Sequence, residues 1–179
     1  MTNGITATID VSQLEAGLPA ITPAFGATLV EAIAICFDDQ NYASGSSFQV
    51  DGDFQTQVQF LYPNVTVQMR RCWNDEESTT EQAAYGIAFL LIRHLTNLTV
   101  IERSRRGTGF DYWLGIERPN LPFQRMMRLE VSGIRCGNSR LINARVRMKM
   151  NQVRRFDNAL RAYVVVVEFG IPCANILQV

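Results

Sequence analysis

Apolar and polar residues alternate most regularly over residues 54–61, where Phe54, Thr56, Val58 and Phe60 interleave with Gln55, Gln57 and Gln59. A period of two puts the first set on one face of a strand and the glutamines on the other, which predicts a half-buried strand. Val65 to Met69 repeats the alternation after Pro63-Asn64, so the two segments are expected to pair as a hairpin. Upstream, residues 4–12 read as a short strand, followed by a loop punctuated by Gly and Pro. From Pro23 a run of small and apolar residues predicts a helix that starts at the proline and ends before Asp38-Asp39, with Glu31 facing solvent. Residues 40–50 are polar with Gly and Ser, the composition of a loop.

The period changes to that of a helix after residue 78. Ser78 and Glu81 have the spacing of a capping box, and Ala84, Ile87, Ala88, Leu91 and Leu95 then fall on one face, predicting a helix over 79–97. Three short strands are expected next, at 99–103, 110–114 and 128–132, the last two joined by a connection containing proline. Ile142, Val146, Met150 and Val153 mark the buried stripe of a second helix, 139–155, whose other side carries Arg140, Arg147, Asn151 and Arg154. A final strand, 163–169, contains four consecutive valines, as expected where both faces are covered. The fold class is therefore α/β with a mixed sheet: residues 1–73 form an N-terminal helix and β-hairpin extension, and residues 74–179 the main core.

At 179 residues, 47% apolar and 19% charged, the chain is expected to be one ordered domain over 1–179. The four cysteines are widely spaced and His94 is the only histidine, which argues against structural zinc and for reduced, mostly buried thiols. No Lys or Arg precedes Arg70, and no apolar run is long enough to cross a membrane. The expectation is a cytoplasmic protein without membrane contact, in which the sequons at Asn64 and Asn97 carry no glycan.

Charge is zero overall but unevenly spread. Residues 1–90 hold 11 acids and 2 bases, and residues 91–179 hold 15 bases and 6 acids. Two readings follow: a basic face that meets a polyanion, or two halves that neutralise each other across their own interface. Sixteen of the 17 bases are arginine, the side chain suited to bidentate phosphate contacts.

The candidate chemistry lies in residues 107–133. Asp111 and Glu130 each sit inside an apolar run, and a carboxylate there is costly to desolvate unless it is paired, hydrogen-bonded or bound to a cation. We expect the two to share one divalent metal. The competing structural roles are a turn or cap beside Gly109 for Asp111, and an ion pair with Arg128 or Arg145 for Glu130. Just upstream, Arg103, Arg105 and Arg106 make a basic turn that leads into Gly107-Thr-Gly109. His94 has no Cys or second His for company, and no nucleophile elbow is present, so a Ser-His-Asp hydrolase is not supported.

The order helix, three strands, helix, strand over residues 79–169, with Asp111 on the second strand and Glu130 on the third, resembles the αβββαβ core of the PD-(D/E)XK, or restriction-endonuclease-like, nucleases. The resemblance implies Mg2+ or Mn2+ held by Asp111, Glu130 and the backbone carbonyl of Val131, with Glu81 of the first helix approaching the same ion. The family places a lysine two residues after the acid, where this chain has Ser132. The resemblance then implies that Lys149, the one lysine, supplies that charge from the following helix, with Arg145 one turn earlier on the same side.

The function expected on these grounds is metal-dependent hydrolysis of DNA or RNA phosphodiesters, with Arg103, Arg105, Arg106, Arg140 and Arg147 on backbone phosphates. Specificity would come from a homodimer or a partner subunit, and a defence or restriction system is the setting the fold analogy suggests. The alternatives are a nuclease-fold subunit that has lost catalysis and binds nucleic acid or a partner protein, and a module in which the acidic half meets the basic half of another copy.

Overall fold

A computed structural model describes residues 7–118, 122–155 and 160–179. In chain order its elements are β1 (Ala7–Asp10), a 3-10 turn (Val11–Ala16), α1 (Pro23–Asp39), β2 (Ser47–Gly52), β3 (Thr56–Leu61), α2 (Val67–Cys72), α3 (Glu76–Leu95), β4 (Thr99–Arg103), β5 (Tyr112–Gly115), β6 (Met127–Ile134), α4 (Ser139–Arg155), β7 (Ala162–Glu168) and β8 (Cys173–Gln178). The strands form one mixed sheet in the order β1-β3-β2-β8-β7-β6-β5-β4, so the protein is of mixed α/β class. Residues 4–6 of the first expected strand, and 119–121 of the connection between β5 and β6, lie outside the described residues.

The valines of β7 set the layers. Tyr163, Val165 and Val167 pack toward α1 and α3, in a core that also takes Leu129 and Val131 of β6 and Val58 and Phe60 of β3. Val164 and Val166 point the other way and pack with Ala162 and Ile134 against Val146 and Val153 of α4. β6 runs parallel to β7 and antiparallel to β5, and β5 is antiparallel to β4. Two helices therefore cover one face of the sheet here and a third covers the other, the covering that a run of consecutive apolar residues in a strand requires.

Several boundaries differ from the sequence expectation, each for a local reason. Val65 to Met69 is not a strand: the Thr66 hydroxyl accepts the N–H of Met69 at 3.1 Å and caps the short helix α2, whose Met69 packs with Ala34 and Ile35. Its place in the hairpin is taken by β2, inside the stretch expected to be a loop, where Phe48 and Val50 are buried opposite Val58 and Thr56. α3 starts at Glu76 because Asp75 caps it, accepting from Ser78 N at 2.7 Å, and Glu76 and Glu77 suit the positive end of the helix dipole. The capping box expected from Ser78 and Glu81 is thus not formed.

Other differences are smaller. α1 continues through Asp38 and Asp39, which are held by Arg70, with Arg135 also on Asp39. Glu31 is half-buried rather than solvent-facing, since it accepts from the Trp73 indole at 2.9 Å. β8, which the sequence reading lacked, closes the sheet between β2 and β7, with Ala174 and Ile176 buried. All four cysteines are free, Cys36 being buried and Cys72 and Cys136 exposed. No helix among the described residues is long and apolar enough to cross a membrane.

One residue decides how closely α3 can lie on β6. A Cβ at Gly133 would stand 2.6 Å from the carbonyl oxygen of Thr80 and 2.8 Å from its Cγ2. Gly133→Ala must therefore push helix and strand apart and should lower stability by about 1–3 kcal/mol, read as a lower midpoint of urea unfolding with unchanged slope.

Candidate active site

β5 and β6 pair in the register Tyr112↔Leu129, and one further step sets Asp111 opposite Glu130. Asp111 does not lie within the strand as expected; it is the residue before β5. Its N–H still donates to Leu129 O at 2.9 Å, but its carboxylate has turned to the strand backbone, where Oδ2 accepts the N–H of Val131 at 2.8 Å. A residue in an extended strand directs N–H and C=O to the same neighbour, so the Val131 carbonyl also lies on the Asp111 side. Oδ1 of Asp111 accepts the Tyr85 hydroxyl from α3 at 3.0 Å, and that hydroxyl is 3.3 Å from Glu81 Oε1. Tyr85 has one proton for two carboxylates, and burial together with both negative charges pushes its pKa well above the usual phenol value.

Glu130 and Ser132 alternate with Leu129, Val131 and Gly133 along β6 and so face α4. Lys149 reaches from α4 to Glu130 Oε1 at 2.6 Å, with the glutamate 2% exposed and the lysine 19%. Gln152, three residues on and hence on the same side of the helix, donates to the same oxygen at 3.1 Å and to the carbonyl of Gly109 at 3.2 Å. Oε2 of Glu130 is buried with no hydrogen-bond partner. Burial is the largest influence on this carboxyl and Asp111 the next; together they outweigh Lys149 and raise its pKa from 4.5 to about 7.

One turn before Lys149, Arg145 donates to the Ser132 hydroxyl at 2.9 Å. Ser132, Arg145 and Lys149 line one side of a groove of about 580 Å³, and Glu76, Glu77 and Glu81 of the first turns of α3 line the other. The geometry therefore joins Lys149 to Glu130 and Asp111 to Val131 N–H, sets Ser132 on Arg145, and links Glu81 to Asp111 through Tyr85. The ion pair that Glu130 makes is with Lys149, not with Arg128 or Arg145.

The five arginines expected to contact phosphates do not line the groove. Arg103, Arg105 and Arg106 are exposed at the end of β4 and in the turn before β5, where Gly107 and Gly109 take φ of +92° and +79°. Gln152 ties that turn to the site through the Gly109 carbonyl. Arg140 and Arg147 are exposed on the outer side of α4, with Arg154 a further seven residues along. His94 is exposed near the far end of α3 and takes no part. Glu168 is fully buried; its carboxylate accepts the N–H groups of Gly137 and Gly170 at 2.9 Å, and that of Ile171, and so anchors the turn that leads into α4.

Among the described residues no three His, Cys, Asp or Glu side chains gather as a ligand set for a metal. Sequence reasoning missed Tyr85 and Gln152, although both carry a usable signal: Tyr85 lies four residues after Glu81, and Gln152 three after Lys149. No family model matches the chain, and neither the curated proteins nor the solved structures include one that is significantly similar to it.

The raised carboxyl of Glu130 fixes the sign of a pH effect. The folded protein holds this proton up to about 7 and the unfolded chain only to about 4.5, so the contribution is complete below about 4.5 and is lost as pH rises through 7. Glu130→Gln should flatten the fall in unfolding free energy between pH 5 and 8. Lys149→Met leaves the buried acid without its partner and should steepen the fall, destabilising the protein at pH 8 by about 3–5 kcal/mol. Denaturant titrations at several pH values check both.

Proposed function

We propose that the protein is a metal-dependent nuclease of the PD-(D/E)XK kind, hydrolysing phosphodiester bonds of DNA or RNA. The observation that carries the reading is that Lys149 of α4 pairs with Glu130 of β6, whose Oε2 is buried and unpartnered, while Asp111 stands opposite Glu130 across the β5–β6 register and holds the N–H of the next residue, Val131. The run α3-β4-β5-β6-α4-β7, with β4, β5 and β6 as an antiparallel meander and β7 parallel to β6, supports the same family.

The donor set fits Mg2+ or Mn2+. A carboxylate oxygen left unpaired in the interior is the kind of group a cation satisfies, and Mg2+ is commonly held by one or two carboxylates with water and substrate phosphate completing its shell. Asp111, Glu130 and the Val131 carbonyl would hold it. Bound there, the ion would offset the charge of the phosphate and lower the pKa of a water toward neutrality.

The chain's own residues supply the rest. Val131 N–H and Tyr85 fix the Asp111 carboxylate in one orientation, so it need not reorganise during the reaction. Lys149, held by Glu130 and Gln152, places an ammonium where Ser132 cannot offer charge, positioned to orient the attacking water and stabilise developing negative charge. The exposed Arg103, Arg105, Arg106, Arg140 and Arg147 give affinity for backbone phosphates without sequence choice. A second reading, a catalytically silent subunit that binds nucleic acid or a partner protein, is favoured by one observation: Lys149 and Glu130 already neutralise each other.

Cleavage of plasmid, single-stranded DNA and RNA in Mg2+ and Mn2+ separates the two. The nuclease should cut at least one substrate, and Asp111→Asn or Lys149→Ala should each reduce the rate at least 100-fold, about 3 kcal/mol of barrier. A wild type silent on every substrate would leave the binding subunit, and cleavage that survives in Asp111→Asn would dismiss this site.

A further inference from the structure

We infer that Arg145, with the Ser132 hydroxyl and Lys149, forms a seat for a single phosphate on the α4 side of the groove, and that in a nucleic acid a backbone phosphate occupies it. The seat deepens the nuclease reading, on which the identity of its phosphodiester ligand rests. The geometry starts with what Arg145 is doing. Among the described residues its guanidinium meets no carboxylate, and the contact it makes is the single N–H given to Ser132 at 2.9 Å. A guanidinium carries five N–H donors in a fixed plane, so four remain, and the side chain lines the groove half-buried.

The neighbouring groups are donors too. Ser132 Oγ accepts from Arg145 and so has its own O–H to give. Lys149 stands one turn along the same helix, about 5–6 Å away by Cβ spacing. Ser132 is 8% exposed, so its hydroxyl holds the guanidinium at a fixed point of the wall rather than in open water. A wall of planar N–H groups, a hydroxyl and an ammonium is matched by an oxyanion with several acceptor oxygens, and phosphate takes a guanidinium bidentately.

The opposite wall limits the ligand. Glu76, Glu77 and Glu81 face the groove from α3. Their charges repel a polyanion laid along the whole groove, so the seat admits one phosphate on the α4 side while the rest of the strand follows the exposed arginines outside it.

Isothermal titration with inorganic phosphate, and with a 5′-phosphorylated thymidine dinucleotide, tests the seat apart from turnover. Both should bind the wild type. Arg145→Ala should weaken both at least tenfold, Arg145→Lys less, and Ser132→Ala by a few-fold, while Arg93→Ala on the far end of α3 should leave them unchanged. Circular dichroism melts confirm that each variant is folded; if Arg145→Ala is not, Arg145→Lys and Ser132→Ala carry the comparison. Equal affinity in the wild type and the folded Arg145 variants, or no binding to the wild type, overturns the seat. Cleavage of nucleic acid with phosphate affinity indifferent to Arg145 would sink the seat and leave the nuclease reading intact. Phosphate binding that depends on Arg145 in a protein that cuts nothing would do the reverse.

Discussion

The candidate site depends on a single compromise, a carboxylate on a central strand of the sheet that is only partly neutralised. Glu130 is nearly inaccessible, receives Lys149 and Gln152 on one oxygen, and leaves the other bare. An ion pair so placed adds little stability over a well-packed apolar pair, because desolvation consumes most of the attraction. Asp111 worsens the balance by putting a second negative charge beside it. A sequence selected for stability alone would satisfy Oε2 or replace the acid. Strain of this sort is characteristic of functional positions, and it is the physical ground for placing chemistry here.

β6 is what allows the compromise. Its alternation sends Leu129, Val131 and Gly133 to α3 and Glu130 and Ser132 to α4, so one strand serves two helices at once. Gly133 brings α3 near enough for Tyr85 to reach Asp111. Glu168 fixes the turn before α4 and hence the start of the helix that presents Arg145, Lys149 and Gln152. The polar cluster is therefore oriented by apolar packing on both faces, with few exposed groups free to rearrange.

Much of this was legible in the sequence, and the parts that were not share a cause. Long periodic elements and the acids inside apolar runs were readable because burial imposes a pattern. Val65 to Met69 failed because five residues cannot separate a period of two from a helical turn, and only Thr66 acting as a cap decides it. β2 failed because Gly and Ser around residues 44–47 masked the alternation of Phe48 and Val50. The approach of Lys149 to Glu130 was expected only through the family resemblance, since no local pattern links the two. That Asp111 would turn to Val131 N–H, and that Tyr85 would hold it there, depends on where two strands part, which no local pattern encodes.

The uneven charge of the chain has two readings. If the acidic first half served to neutralise the basic second half, ion pairs should run between them. Among the described residues Arg135 with Asp39 is the pair that does so; Arg70 meets acids of its own half, and Arg125 and Lys149 meet Glu102 and Glu130 of theirs. Exposed pairs of this kind contribute at most about 1 kcal/mol each. Ion pairs between the two halves are thus sparse among the described residues. The arginines of the turn before β5 and of the outer side of α4 stay in solvent, tied to the site by Gln152 and by the helix itself. On the proposed nuclease reading a polyanion drawn to them lies along α4, whereas one drawn to the α3 side meets the acids of its first turns.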